Sequence, residues 1–142
     1  MQRCLATISF VLSLGATCAW AQSQQVDIPF AFHLGDRTLN AGNYIVTVGQ
    51  PIQYSFTLVS RTNARDRAIS LAFPHGTDGR GASQSKLVFH RYGSEDYFLS
   101  QIYAGSSGSM MIKPSKHEKV TSRLIAGHRP ETVEILAAVR LP

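Results

Sequence analysis

From Val26 onward, apolar and polar residues alternate with a period of two over much of the chain, the pattern of half-buried β-strands. In Val26–Leu34, the residues Val26, Ile28, Phe30, Phe32 and Leu34 share one face, and Asp27, Pro29, Ala31 and His33 the other. Pro29 cannot donate a ladder hydrogen bond, so this strand is expected at a sheet edge or with its N–H side free. Gly35–Thr38 turns the chain into Asn43–Val48, where Tyr44, Val46 and Val48 share a face. Ile52–Ser60 carries Ile52, Tyr54, Phe56 and Leu58 on its apolar side. After the polar turn Arg61–Arg67, the segment Ala68–Phe73 alternates Ile69, Leu71 and Phe73 with small residues. His75–Ser85 has three glycines and no large apolar side chain, which predicts an exposed loop.

The most strongly patterned stretch is Lys86–Tyr103. Two runs rich in aromatic and β-branched residues, Lys86–Tyr92 and Tyr97–Tyr103, flank the break Gly93-Ser94-Glu95-Asp96. That arrangement predicts a central β-hairpin. Met110–Ile112 is a short apolar segment stopped by Pro114. Ser115 and Glu118 have the spacing of a capping box, so a short helix is expected to run to about Ala126, with Gly127 as its stop. Val120, Leu124 and Ile125 would form its apolar side. Glu131–Arg140 reads as a last strand in preference to a helix, its apolar run buried on both faces within the sheet interior. The sum is an all-β fold, an antiparallel β-sandwich or small barrel of about seven strands with one short helix in the C-terminal half.

Ahead of this pattern lies an export signal. Met1-Gln2-Arg3 supplies a positive start, Leu5–Ala16 is apolar, and Ala19-Trp20-Ala21 is a small-x-small cleavage site. The expected mature chain is one domain, 22–142, with no transmembrane segment, since the apolar run is shorter than a span of about 20 residues. Cys18 lies near the cleavage region, but Gly15-Ala16-Thr17 makes a poor lipobox, which disfavours a lipoprotein. Both cysteines, Cys4 and Cys18, fall in the leader, so the mature domain has neither thiol nor disulfide. The full chain has a formal net charge of +5, one unit less once Arg3 leaves with the leader. That is too modest, without a dense basic stripe, for nucleic acid.

Catalytic and metal-binding patterns are sparse. The five histidines, His33, His75, His90, His117 and His128, form no short-spaced metal motif. Gly105-Ser106-Ser107-Gly108-Ser109 ends in Ser where a nucleophile elbow requires Gly. Glu95 and Asp96 are adjacent in a turn, so alternation points them apart, unlike the facing carboxylates of a glycosidase. Gly76–Gly81 does not continue into a phosphate-binding loop. Arg61, Arg65 and Arg67 surround Asp66 in a solvated turn. The tyrosines Tyr54, Tyr92, Tyr97 and Tyr103 remain as groups able to stack on a sugar or line an interface.

The motifs Val26-Asp27-Ile28-Pro29-Phe30-x-Phe32, Leu39-x-Ala41-Gly42-x-Tyr44, Leu87–Gly93 and Tyr97-Phe98-Leu99 together resemble those of a family of small exported β domains abundant in Acidobacteria. The second motif there commonly has Pro where Asn40 stands here. The resemblance implies a compact β domain behind a signal peptide, and it carries over no activity and no catalytic residue. The expectation is an exported, non-enzymatic domain with a binding or structural role at the cell envelope, periplasmic or extracellular, needing no cofactor. Its expected partner is an envelope glycan or protein, and its candidate binding face is His90, Arg91, Tyr92, Tyr97 and Tyr103. The alternative is a small secreted hydrolase or metal-dependent enzyme using His33, His75 or His90. Strand addition at an exposed edge would instead seal an oligomer.

Overall fold

The computed structural model describes residues 23–49, 55–75, 84–105, 108–125 and 127–139. The expected leader, Ile52, Tyr54 and most of the His75–Ser85 loop lie outside the described residues. Within them are eleven strands and one helix: β1 (Ser23–Ile28), β2 (Phe32–Leu34), β3 (Arg37–Leu39), β4 (Gly42–Val48), β5 (Ser55–Ser60), β6 (Arg67–His75), β7 (Lys86–Tyr92), β8 (Asp96–Tyr103), β9 (Ser109–Ile112), α1 (Lys116–Leu124), β10 (Glu131–Leu136) and β11 (Ala138–Val139). The all-β class with one short helix is thus what the alternation predicts.

The strands outnumber the expected seven because short pieces are split off. Pro29 lies just past the end of β1, and the chain resumes pairing only at Phe32, so one predicted strand becomes β1 and β2. Leu34, Gly35 and Arg37 fold β3 back on β2, with Gly35 at φ 62, a conformation that glycine adopts without steric cost. The last strand breaks at Ala137, whose N–H donates to the Ser85 carbonyl at 2.8 Å.

Hydrogen-bonded neighbours run in the order β10-β7-β8-β9-β6-β5-β4-β1-β11, with β2 beside β8 and β3 beside β2. Pairing is antiparallel except for a parallel bridge between His33 and Phe98. The sheet does not close into a barrel. It folds as a sandwich because β6 serves two layers, pairing with β5 through Arg67–Leu71 and with β9 through Ala72–His75. The expected hairpin is present as β7–β8, flanked by β10 and β9, with a bulge between Val88 and Phe89 and Gly93 in the turn at φ 66.

One core fills the space between the layers. Val26, Tyr44, Val46, Phe56 and Leu58 come from one side, and Leu87, Phe89, Leu99, Ile102 and Met110 from the other. Tyr44 buries its ring and donates its hydroxyl to the Asn40 carbonyl at 2.5 Å; burial first, then Asp66, push that phenol up to about 12.

Three expectations are corrected here. The C-terminal strand is not buried on both faces: Val133 and Ile135 touch the core, whereas Glu131, Thr132, Glu134 and Leu136 are exposed. It occupies the two ends of the pairing order rather than the interior. Helix α1 forms with Ser115 as N-cap, its Oγ accepting from the Glu118 N–H at 3.1 Å. Yet Val120 and Leu124 point to solvent, while Glu118 and Thr121 are the buried residues.

Candidate functional site

The five residues of the candidate face do not share one surface. His90 and Phe98 are cross-strand partners on the side that α1 covers, and Tyr92 lies two residues along that side. Arg91 and Tyr97 pair on the opposite side, where Tyr97 stacks on Phe30 with ring centres 3.8 Å apart and Arg91 forms an ion pair with Glu131. Tyr103 lies toward the other end of β8, under the Lys86 ammonium 4.8 Å from its ring centre, with its hydroxyl donated to Gln101 at 3.0 Å.

Beneath α1 a polar cluster is assembled from distant parts of the chain. The Glu118 carboxylate, only 5% exposed, lies 3.1 Å from His90 Nδ1 and accepts from the Tyr92 hydroxyl at 3.3 Å. Burial, followed by the charge of Glu118, raises the Tyr92 phenol above its ordinary value. Next to it, His33 stacks on Phe98 at 4.7 Å and meets His117 edge-on at 4.9 Å. His33 also approaches Thr38 Oγ1 at 3.1 Å through Nδ1 and Asp96 Oδ1 at 4.0 Å through Nε2. The rings of His33 and His90 flank Phe98 on adjacent strands, about 10 Å apart by strand spacing. His75 is elsewhere, exposed at the end of β6. Among the described residues, no group of three or more His, Cys, Asp or Glu stands ready to hold a metal ion.

The histidine pair has a testable consequence for stability. Burial first, then the neighbouring His117, lower the His33 pKa, opposed by Asp96. A lowered imidazole pKa means that the unfolded chain binds this proton more readily than the folded one, so the contribution is lost as pH falls below about 6.5. His33→Gln is therefore expected to flatten the acid side of the stability curve. Urea midpoints at about pH 7.5 and about pH 5 check this, and an unchanged acid slope in the variant would reject it.

A second feature is apolar and open. In β6 the alternation has the polarity opposite to that of a core-facing Ile69, Leu71 and Phe73: Ala68 and Ala72 face the core. Ile69, Leu71 and Phe73 are 64%, 65% and 53% exposed, and Met111, the partner of Phe73 on β9, is 38% exposed. Beside them runs a groove of about 540 Å³ lined by Ile69, Ser70, Leu71, Phe73 and Lys113. Large apolar side chains clustered in this way on adjacent strands mark an interaction surface more often than isolated ones do. Sequence reasoning registered the period of these residues, but period alone does not say which side is wet.

Neither a protein-family model, nor a curated protein, nor a solved structure matches this chain.

Proposed function

We propose that this is an exported, non-enzymatic β domain that binds a partner at the cell envelope, and that the outward face of β6 and β9 is its binding surface. The leader pattern of Met1–Ala21 supports export. The observation that carries the binding reading is the exposed set Ile69, Leu71, Phe73 and Met111 beside an open groove. These side chains gain by leaving water, at roughly 25 cal/mol per Å² of apolar surface covered, and nothing in the core depends on them. The polar cluster under α1 serves a different purpose. Its Glu118 is occupied by Tyr92 and His90, which ties the helix to the β7–β8 hairpin.

The test is sedimentation with isolated cell-envelope fragments. The wild-type chain is expected to co-sediment, and a variant with Ile69→Ser, Leu71→Ser and Phe73→Ser to stay in the supernatant. Because those positions are exposed, each substitution should change stability by no more than about 0.5 kcal/mol. Equal co-sedimentation of wild type and variant would reject the assignment of this face.

A further inference from the structure

We infer that the seam beside β6 takes a short extended peptide as an added strand, one in which apolar residues are flanked by acidic ones. The inference rests on the reading of the β6 face as the binding surface, and it specifies how and what that face binds.

The backbone supplies the first part of the argument. In the β5–β6 ladder Ser60 N–H donates to the Asp66 carbonyl at 2.9 Å, and antiparallel pairs alternate between bonded and non-bonded. Asp66, Ala68 and Ser70 therefore direct their main-chain groups at β5, and Arg67, Ile69 and Leu71 direct theirs the other way. On that other side β9 pairs only as far as Ile112 with Ala72, after which Lys113 and Pro114 lead away to α1. The flank of the Ala72–Ile112 pair takes the Leu71 carbonyl, which faces the Lys113 N–H and also the Ser70 hydroxyl at 3.5 Å. The Leu71 N–H and both main-chain groups of Ile69 are left facing the groove without a ladder partner among the described residues.

The opening is bounded. At its far end Arg37 Nη1 donates to the Arg67 carbonyl at 2.8 Å and Asn40 Nδ2 to Asp66 at 3.2 Å, so the β3 region closes the seam there. At its near end stands Lys113. Between them, the open stretch centred on Ile69 offers room for about three extended residues, with the residues that flank them lying toward Arg67 and Lys113. Strand addition of this kind draws affinity from main-chain bonds and selectivity from alternate side chains. Here the alternate side chains of the host are Ile69 and Leu71, continued by Phe73.

Charge selects the occupant. The ends of the seam carry Arg67 and Lys113, neither with an ion-pair partner among the described residues. The nearby carboxylate of Asp66 is held by Asn40 and Asn63. A second copy of this chain would set the same cations against each other, whereas acidic residues flanking the guest would meet them.

The experiment is an amide NMR titration of the full-length chain with the capped peptide Glu-Val-Ser-Val-Glu, its Lys-Val-Ser-Val-Lys counterpart, and a form of the first N-methylated at its central residue. The acidic peptide should shift the Ile69 and Leu71 amides and slow their hydrogen exchange, and the basic and N-methylated peptides should bind about tenfold more weakly or worse. Lys113→Glu should reduce the preference for the acidic peptide. Ile69→Pro should abolish binding while the domain stays folded, because that N–H is not used by β5. Unmoved Ile69 and Leu71 amides at about 10 mM peptide would overturn the inference. So would equal binding of the N-methylated peptide, or the same amides shifting with protein concentration alone, which would mark a second copy as occupant. In each of those cases the β6 face survives as a binding surface if the triple serine variant still loses envelope co-sedimentation; if it does not, both readings fail.

Discussion

Phe89→Ala should cost about 3–5 kcal/mol, a large share of the usual stability of a domain, about 5–15 kcal/mol. Phe89 is fully buried in the core, on the strand between β10 and β8. Its ring meets Phe30 edge-on at 5.2 Å and Phe32 at 5.4 Å, while Leu99 and Val133 lie opposite it on the flanking strands. Truncation removes the transfer energy of the ring and leaves a cavity that the strands cannot close, because they are pinned by ladders on both sides. It also forfeits two edge-on aromatic contacts, each worth about 0.5–1.5 kcal/mol beyond area. Phe73→Ala provides the control: the same truncation on the outward face of β6 should stay within about 0.5 kcal/mol. Urea denaturation of the two variants checks both, and a Phe89→Ala loss under about 1 kcal/mol would show that the hairpin is not the centre of the core.

What could be read from the residues alone follows from the range of the forces involved. Local alternation located β4, β5, β7 and β8, because a period of two depends only on neighbours along the chain. It could not say which side of β6 is inside. That depends on Leu58 opposite Ala68 and Ile112 opposite Ala72, where bulky partners leave the β6 core positions to methyl groups. The cap of α1 was legible at Ser115 for the same local reason. The face of α1 was not, since the partners of Glu118 are Tyr92 and His90, 26 and 28 residues away. Likewise no spacing rule announces that His33 and His90 share Phe98 as a cross-strand partner. The polar cluster and the open apolar face were both products of long-range pairing.

The change of partner along β6 links the fold to its proposed use. A strand that pairs with β5 in its first half and β9 in its second turns the sheet from one layer into the other. It also leaves the edge of β6 opposite β5 open around Ile69, beyond the end of β9, among the described residues. Such edges invite association, and proteins ordinarily blunt them with charge. Here Arg67 and Lys113 supply charge at the ends, while Ile69 and Leu71 stay apolar between them. Protection against self-association and selection of a guest are then the same electrostatic feature.

Glu118→Ala should cost about 2–3 kcal/mol, the second largest effect expected here, despite removing a charged residue from a surface helix. The Ser115 cap survives the change, since it uses the main-chain N–H of residue 118. What is lost is the acceptor for the Tyr92 hydroxyl at 3.3 Å and the partner of His90 Nδ1 at 3.1 Å. Tyr92 is buried, so its hydroxyl is left without a partner and pays the desolvation cost of an unsatisfied donor. Glu118→Gln keeps an acceptor oxygen of the same reach and should lose less than about half as much. Replacing both members of the pair separates bonding from packing: Tyr92→Phe and Glu118→Ala together should cost less than their sum, by about 0.5–3 kcal/mol. Val120→Ala and Leu124→Ala, on the wet side of the same helix, should leave the urea midpoint almost unmoved. If those two outweigh Glu118→Ala, or if the double variant is additive, α1 is held by its apolar side chains and not by the buried carboxylate.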